Sequence, residues 1–109
     1  KYLENGREAF GTKFGMNYMD IYNNGYIIPI VDLHVRYLDS VRLSEVLVVE
    51  TIYVPSKSAK LVFDYKIYRQ SDHSAVAEAS TTQLFMTKEG ELELSMPDFY
   101  RQWKTKWGV

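Results

Sequence analysis

The residues best placed to do chemistry stand near the start of the chain. Glu4 and Arg7 lie three positions apart, a spacing that puts a carboxylate and a guanidinium on one face of a helix. A carboxylate there could orient a water molecule or a neighbouring functional group. The same spacing is also typical of a helix ion pair, with Arg7 or with Lys1 as the partner of Glu4. Two interpretations therefore stay open: a reactive or water-orienting acid, and a structural ion pair.

The two histidines and the cysteine count narrow the chemistry further. His34 alternates with Asp32 and Arg36 along a predicted strand, and His73 lies far away in a polar turn. No second ligand stands at metal spacing, and no nucleophilic Ser or Cys is in register with the Asp–His pair. The chain has no cysteine, which excludes disulfides, thiolate metal sites and a cysteine nucleophile. We therefore expect no metal site, and histidines that face solvent or an interface.

The overall composition excludes several kinds of partner. The 13 Lys and Arg residues nearly balance the 14 Asp and Glu residues, and this net charge of -1 argues against nucleic acid. No apolar run approaches the roughly 20 residues that cross a bilayer, so no membrane-spanning segment is expected. The length of 109 residues suits one domain with a single core. The lack of cysteine fits a cytoplasmic location.

The first element is predicted to be a helix. Small and apolar residues recur at helical spacing in its first turns: Tyr2, Leu3, Gly6, Ala9 and Phe10. The pattern is already running at Lys1, and no residue ahead of Lys1 caps it. Gly11 or Gly15 is expected to end the helix in a left-handed conformation. The Gly- and Asn-rich stretch that follows, up to a turn at 23–25, is expected to be a loop.

Most of the remaining chain is predicted to form antiparallel strands. Apolar and polar residues alternate in "YIIPIVDLHVRYL" and "KLVFDYKIYRQ", whereas "SEVLVVETIYV" is apolar on both faces and is expected to be covered on both sides. "AVAEASTTQLFMT" follows a polar turn and is expected to pair with "KLVFDYKIYRQ" as a hairpin. Pro29 is expected near an edge, a bulge or a strand start, because it has no N–H for the ladder.

Packing features in the second half of the chain predict an α+β fold. One strand carries a row of small side chains on a single face: Ala75, Ala77, Ala79 and Thr81. We expect Gly6 and Ala9 to face this row, because small residues let a helix approach closely. Leu92 and Leu94 predict a short edge strand. Pro97 is expected to open a final helix, and three aromatic residues share one face of it, as a packing surface: Phe99, Trp103 and Trp107.

The order of these segments resembles the hotdog fold, in the 4-hydroxybenzoyl-CoA thioesterase-like branch of the acyl-CoA thioesterases. "YLENGREAF" is similar to the central-helix pattern of that family: an aromatic or apolar pair, Glu, two variable residues and Arg. "VRYLDSVRLSEVLVVET" resembles its strand, bend and strand, "AEASTTQLFM" its small-x-small-x-Thr strand, and "MPDFY" its C-terminal helix. The resemblance covers nearly the whole chain and rests on the order and spacing of these motifs.

The resemblance implies a curved antiparallel sheet wrapped around a central helix, with a short C-terminal helix, in a homodimer or homotetramer. Its implied reaction is hydrolysis of an acyl-CoA thioester to a carboxylic acid and free CoA, with no metal and no organic cofactor. Arg7 matches the helix Arg of the family and would bind substrate or a partner subunit. Lys57 and Lys60 would offer a basic rim to the phosphates of CoA. Each of these three could instead be an ordinary charged residue.

The resemblance also implies a segment ahead of Lys1, with a first strand, a Gly turn and a catalytic Asp. We therefore expect residues 1–109 to form a single hotdog domain that is incomplete at its N-terminus and lacks its catalytic acid. Glu4 is then the carboxylate nearest to the reaction. The free N–H groups of the helix start would polarise the thioester carbonyl.

Two further interpretations stay open. A non-catalytic hotdog module would bind acyl groups or serve in assembly, and it would have no acid ahead of the helix. A cystatin-like or nuclear-transport-factor-like α+β roll would also hold a helix in a curved sheet, but with a conical cavity inside one subunit.

Overall fold

The computed structural model describes residues 2–109 of the chain. In this part of the chain the elements follow one another as α1 (Tyr2–Phe14), α2 (Tyr18–Asn23), β1 (Tyr26–Ile27), β2 (Ile30–Tyr37), β3 (Leu47–Val54), β4 (Lys60–Arg69), β5 (Ala75–Leu84), β6 (Met86–Thr87) and α3 (Asp98–Trp107).

The predicted first helix is confirmed, and its end is set by a glycine. Helix α1 ends at Phe14, and Gly15 follows it with a φ of 78°, in the left-handed region that favours glycine. Gly11 lies inside the helix instead. A Cβ there would stand 2.5 Å from the carbonyl oxygen of Met16, so the chain passes too close at this point for any side chain.

The predicted loop after α1 is wrong in its middle part, where the chain forms the short helix α2. Asn17 caps this helix: its side chain accepts a hydrogen bond from the Asp20 N–H at 2.8 Å, and Asp20 accepts one from the Asn17 N–H at 3.0 Å. This reciprocal pair satisfies two N–H groups that would otherwise lack partners at the helix start. An Asn followed three residues later by an acid was the signal in the sequence.

Four antiparallel strands form the main sheet, in the order β2-β5-β4-β3. The predicted β4–β5 hairpin is confirmed, with Phe63 opposite Thr81 and Tyr65 opposite Ala79. Pro29 lies between β1 and β2, just before a register shift between Ile30 and Asp32, as its missing N–H predicted. Strand β1 pairs with β6 in a separate two-stranded sheet.

The two faces of the main sheet differ in chemistry. The face that α1 covers, called the inner face below, carries the buried side chains of Leu61, Phe63 and Tyr65 on β4. The opposite face, called the outer face, carries the exposed side chains of Asp64 and Lys66 on the same strand. The period-two pattern therefore predicted correctly which side of β4 is buried.

The predicted seat of the helix is wrong. Gly6 faces β3 rather than the small-residue row of β5: a Cβ at Gly6 would stand 2.5 Å from Thr51 Oγ1 and 3.1 Å from Val49 Cγ1. The Phe10 ring, one turn later, packs 5.2 Å from the ring centroid of Phe63. Ala9 is exposed, so it does not face the row. The aromatic contact of Phe10 thus places α1 over β3 and β4.

Both edge strands of the main sheet, β2 and β3, are partly uncovered. Strand β3 is an edge strand with exposed Glu50, so the prediction that it is covered on both sides is wrong. Strand β2 is the other edge, and all eight of its residues are exposed. Its inner-face side chains Leu33, Val35 and Tyr37 keep 52%, 42% and 79% of their surface accessible. Edges of this kind normally acquire a partner or a cover.

Helix α3 fixes the far end of α1. The indole N–H groups of Trp103 and Trp107 both donate to the carbonyl oxygen of Phe14, at 2.6 and 3.1 Å. They satisfy a carbonyl at the end of α1 that has no partner within the helix. The predicted packing role is confirmed for Trp103, which is buried, whereas Trp107 stays partly exposed. The hydroxyl groups of Tyr100 on α3 and Tyr53 on β3 lie 2.5 Å apart. Tyr100 was not among the three aromatic residues predicted to form the packing surface.

A guanidinium fixes the connection between β2 and β3. Arg69 donates to Glu45 at 3.0 Å, to Asp39 at 3.1 Å and to the carbonyl oxygen of Ser40 at 2.6 Å. A hydrogen bond from the Arg42 backbone N–H, helped by Arg69, lowers the pKa of Glu45. The exposed connection therefore has a defined conformation.

The predicted edge strand at 92–94 reduces to a single bridge between Leu92 and Met86.

The contact of α1 with β3 predicts the effect of adding one methyl group at Gly6. A Gly6→Ala change gains up to about 1 kcal/mol of helix propensity but overpacks the contact at a cost of about 1–3 kcal/mol. We expect the free energy of unfolding in urea to fall by about 1 kcal/mol. In a Thr51→Ala background, which removes the nearest atom, the loss should shrink or reverse. Equal losses in both backgrounds would contradict the assigned contact.

Candidate active site

A groove of about 380 Å³ opens between α1 and the inner face, on the side of β5. It brings together Glu4 and Arg7, two of the residues singled out from the sequence. Its lining consists of Glu4, Asn5, Arg7, Glu8, Ile28, Ile30 and Gln83. One wall is therefore charged, and the opposite wall is apolar apart from one amide.

Arg7 is partly buried, and only part of its guanidinium group has a hydrogen-bond partner among the described residues. Its side chain is 13% exposed, and its Nη2 lies 3.4 Å from Glu8 Oε2. Its Nη1 is buried and meets no acceptor in the described part of the chain. A buried donor without a partner costs about 1–3 kcal/mol, so an acceptor placed there would bind favourably. The ion pair predicted between Arg7 and Glu4 is thus made with Glu8 instead.

The three acidic and amide side chains on this part of α1 differ in their surroundings. Both oxygens of Glu8 accept the backbone N–H of Tyr18, at 3.3 and 3.2 Å, so Glu8 joins α1 to the start of α2. Glu4 and Asn5 are exposed at the mouth of the groove. The alternative pairing of Glu4 with Lys1 lies outside the described residues. Glu8 therefore has a structural role, and Glu4 is open to solvent and to a ligand.

Gln83 is the functional candidate that sequence reasoning missed. It is 3% exposed, and its Nε2 donates to the carbonyl oxygen of Ile28 at 2.8 Å. This bond fixes the amide orientation and leaves Oε1 buried without a donor among the described residues. The groove thus holds an unsatisfied acceptor on Gln83 and an unsatisfied donor on Arg7. A polar residue on the buried face of β5 was the available signal, since apolar side chains normally fill such positions.

Beneath the groove, the inner face holds a neutral hydrogen bond. The hydroxyl groups of Tyr65 and Thr81 lie 3.1 Å apart, and both residues are buried. Burial raises the pKa of Tyr65, an effect that Thr81 and the positive charge of Arg7 only partly oppose. Tyr65 therefore stays a neutral phenol near neutral pH, and it supplies no negative charge to compensate Arg7.

The predicted basic residues lie elsewhere. Lys57 is exposed in the connection from β3 to β4, and Lys60 begins β4. Neither lines the groove. The Lys104 ammonium group donates to the carbonyl oxygen of Ser56, which brings a third cation beside this connection. A basic rim therefore exists at this end of the sheet, and its binding of phosphate stays a prediction.

A larger concave region, of about 600 Å³, lies on the outer face. His34 borders it and pairs with Asp32 at 3.1 Å, with both side chains largely exposed. The buried polar atoms that lack partners among the described residues belong to Arg7, Thr51 and Gln83, all on the inner side. The smaller groove is therefore the better candidate for chemistry, because its unsatisfied groups can recognise a reacting molecule.

Comparison with known proteins identifies the family. Residues 1–104 match the thioesterase-like superfamily. The chain belongs to this superfamily. A Bacillus subtilis (strain 168) protein named "Putative acyl-CoA thioesterase YneP" is 25% identical over 104 residues, which are 95% of this chain and 75% of that protein.

Solved structures agree with this assignment. A hypothetical protein from Thermus thermophilus superposes with a TM-score of 0.80 at 27% identity, over 96% of this chain and 78% of that one. The DHNA-CoA thioesterase of Staphylococcus aureus gives 0.78 at 22% identity, over 99% and 78%. The predicted hotdog fold is confirmed, and the cystatin-like or nuclear-transport-factor-like alternative is excluded. No helix within residues 2–109 has the length and apolar character needed to cross a membrane.

Because Arg7 Nη1 is a buried donor without an acceptor among the described residues, we predict that Arg7 contributes to binding and not to the stability of the fold. An Arg7→Met change removes a buried charge and its unpaired N–H while filling a similar volume. We expect the free energy of unfolding in urea to stay unchanged or to rise by up to about 2 kcal/mol. Glu8→Met, which deprives the Tyr18 N–H of its acceptor, should lower it by about 1–2 kcal/mol. A clear loss in Arg7→Met would instead identify a structural ion pair.

Proposed function

We propose that this chain hydrolyses an acyl-CoA thioester to a carboxylic acid and free CoA. Membership of the thioesterase-like superfamily supports thioester hydrolysis as the reaction class. The printed names of two relatives support CoA as the thiol: the acyl-CoA thioesterase name of YneP and the DHNA-CoA thioesterase of S. aureus. The absence of cysteine fits action in the cytoplasm.

The observation that carries the proposal is the unsatisfied Arg7 Nη1 in a groove that also holds the carboxylate of Glu4. Hydrolysis needs a base for the attacking water and donors for the oxyanion that develops. In the proposed reaction Glu4 takes a proton from water, and the water oxygen adds to the thioester carbonyl carbon. Arg7 Nη1 donates to the oxyanion. The C–S bond then breaks, and the CoA thiolate takes up the proton.

Gln83 has a complementary role in this proposal. Its Oε1 is held in place by the bond from Nε2 to Ile28, and it needs a donor. The attacking water can supply one, because it keeps a second hydrogen after Glu4 takes the first. Gln83 then orients the water without changing its own protonation. We propose that Lys57 and Lys60 bind the phosphates of CoA, whose long pantetheine arm lets the nucleotide lie away from the groove.

We also propose that the chain works as a homodimer, or as a homotetramer if two dimers associate. Strand β2 is an edge whose eight residues are all exposed, and its inner-face side chains are apolar. Pairing β2 with β2 of a second copy around a two-fold axis would satisfy this edge and bury Leu33 and Val35. Because Ile30 of β2 also lines the groove, the site would then lie close to the subunit boundary.

The catalytic proposal is tested by the release of free CoA thiol from short, long and aromatic acyl-CoAs. The assay compares residues 1–109 with the complete gene product, each with matched variants. Glu4→Gln should lower kcat by about 100- to 10,000-fold, and Arg7→Met by about 100-fold or more. Glu89→Gln, an exposed acid in a distant turn, should leave kcat unchanged.

Three outcomes would contradict these roles. Full activity in Glu4→Gln would place the base on another carboxylate. Activity of the complete gene product without activity of residues 1–109 would favour the upstream Asp that the resemblance implies. No activity of either protein on any substrate would favour the non-catalytic acyl-binding module.

The assembly proposal is tested by light scattering at micromolar concentration. Val35→Lys places a charge on the apolar inner face of β2, so it should convert the dimer into a monomer with an unchanged circular dichroism spectrum. Leu94→Lys replaces an apolar residue that is also exposed but lies away from the sheet, and it should keep the dimer mass. A monomer mass for the unmodified chain would overturn the proposal.

A further inference from the structure

The groove beside α1 has an open mouth and a buried inner end. Glu4 and Ile30 are exposed at the mouth, whereas Ile28 and Gln83 are 6% and 3% exposed at the inner end. In the proposed reaction the carbonyl oxygen of the thioester meets the buried Arg7 Nη1. The long CoA arm has to return to solvent, so it leaves through the mouth. The acyl group, on the other side of the carbonyl carbon, therefore points toward the inner end.

The chain segment after α1 closes the groove along the helix. Glu8 lines the groove, and both of its carboxylate oxygens accept the backbone N–H of Tyr18. One turn further along α1, the Met16 N–H donates to the carbonyl oxygen of Gly11 at 2.7 Å. A Cβ on Gly11 would stand 2.5 Å from the carbonyl oxygen of Met16. These separations leave no room for an acyl chain to continue past Glu8 along the helix.

Aromatic side chains fill the space between α1 and the sheet beyond the groove. The Phe10 ring packs edge-on against Phe63 at 5.2 Å and lies parallel to the Tyr53 ring at 6.1 Å. The hydroxyl groups of Tyr65 and Thr81 lie 3.1 Å apart in the same buried layer. An acyl chain could pass under the helix here only by displacing these side chains.

Ile28 forms the apolar end wall of the groove. Of the two apolar residues in the lining, Ile28 is buried as part of the hydrophobic core, and Ile30 is 48% exposed. Gln83 Nε2 donates to the carbonyl oxygen of Ile28 at 2.8 Å, which fixes the backbone that carries this wall. We propose that the Ile28 side chain limits the length of the acyl group, and that the substrates are acyl-CoAs with a short acyl chain. This inference rests on the proposed hydrolysis and adds its substrate class.

The volume and polarity of the groove agree with a short acyl chain. A volume of about 380 Å³ is near the lower end of the roughly 300–1,000 Å³ of ligand pockets, and it also has to hold the attacking water. A longer chain that folded back toward the mouth would cover Glu4, Asn5 and Glu8. Covering such polar groups without hydrogen bonds is unfavourable. A pocket discriminates by about 10- to 200-fold in kcat/KM for a single methylene.

The dependence of kcat/KM on chain length tests the proposal in the complete gene product. Release of free CoA thiol is measured with acetyl-, butanoyl-, octanoyl- and dodecanoyl-CoA, each below its micelle concentration. We expect kcat/KM to be at least about 100-fold lower for dodecanoyl-CoA than for butanoyl-CoA. Ile28→Ala shortens the side chain of the end wall, so it should raise the octanoyl-to-butanoyl ratio of kcat/KM by about tenfold or more.

Ile21→Ala is the matched control. Ile21 on α2 is 0% exposed in the same core but does not line the groove. Its substitution removes the same atoms as Ile28→Ala and should lower Tm comparably, but it should leave the octanoyl-to-butanoyl ratio unchanged. Ile28→Val removes less of the wall and less stability, and it should shift the ratio in the same direction by a smaller factor. This milder variant decides the test if Ile28→Ala does not fold.

Binding measured by calorimetry separates the length limit from the proposed reaction. It uses the Glu4→Gln protein, or the unmodified chain if that hydrolyses no substrate, an outcome that overturns the reaction alone. Kd should be lower for butanoyl-CoA than for dodecanoyl-CoA, and Ile28→Ala in the same background should reduce this difference by about tenfold.

Three results would overturn the length limit. The first is an equal kcat/KM and an equal Kd for butanoyl-CoA and dodecanoyl-CoA. The second is an unchanged octanoyl-to-butanoyl ratio in a folded Ile28 variant. The third is an equal shift of that ratio in Ile21→Ala, which would show that loosening of the core, and not the end wall of the groove, admits longer chains.

Discussion

The close approach of α1 to β3 is the contact on which the rest of the structure depends. Gly6 has no side chain, so the helix backbone can lie directly against Thr51 and Val49. Phe10, one turn later, enters the aromatic cluster formed with Tyr53 and Phe63. A helix held in this way covers β3 and β4 and stops short of β5 and β2. Because the helix does not reach these two strands, a groove opens beside β5 and the apolar side chains of β2 stay exposed.

The groove contains buried polar groups that lower the stability of the fold. Arg7 Nη1 and Gln83 Oε1 are buried without partners among the described residues, although most buried polar groups in proteins are satisfied. Glu8 accepts a hydrogen bond from Arg7 Nη2, and the Ile28 carbonyl accepts one from the Gln83 amide, so both side chains are oriented by a neighbour. Rigid, unsatisfied donors and acceptors are what a binding or catalytic site needs, because they need not reorganise when the ligand arrives.

The two faces of the sheet suggest two separate tasks for one domain. The inner face forms part of the candidate site, where Arg7 and Gln83 hold buried atoms without partners among the described residues and desolvation strengthens each interaction. The outer face carries charged residues of opposite sign side by side, such as Glu78 and Lys66, together with apolar residues such as Ile52. Strand β2 belongs to both, since its apolar residues point inward and its charged residues outward. Assembly and site formation can therefore be coupled through this one strand.

Periodicity in the sequence was enough to determine the elements and their buried sides. Alternation identified β4 and the β4–β5 hairpin, helical spacing identified α1 and α3, and the order of motifs identified the hotdog fold. Glu4 and Arg7 were singled out from their spacing and from the resemblance to the family's central-helix pattern. These signals are local: each depends on residues a few positions apart, which the backbone geometry brings to one face.

The tertiary structure decided what depends on contacts between distant parts of the chain. The small residues Ala77, Ala79 and Thr81 predicted a helix seat on β5, but the aromatic contact of Phe10 moved the helix to β3. The alternating pattern of β5 gave no sign of the role of Gln83. Only the packing shows that the Ile28 carbonyl accepts a hydrogen bond from Gln83 Nε2 and that Gln83 Oε1 has no donor among the described residues. The sequence determines which side chains share a face. The three-dimensional packing determines which of them remain unsatisfied, because hydrogen-bond partners come from elements far apart along the chain.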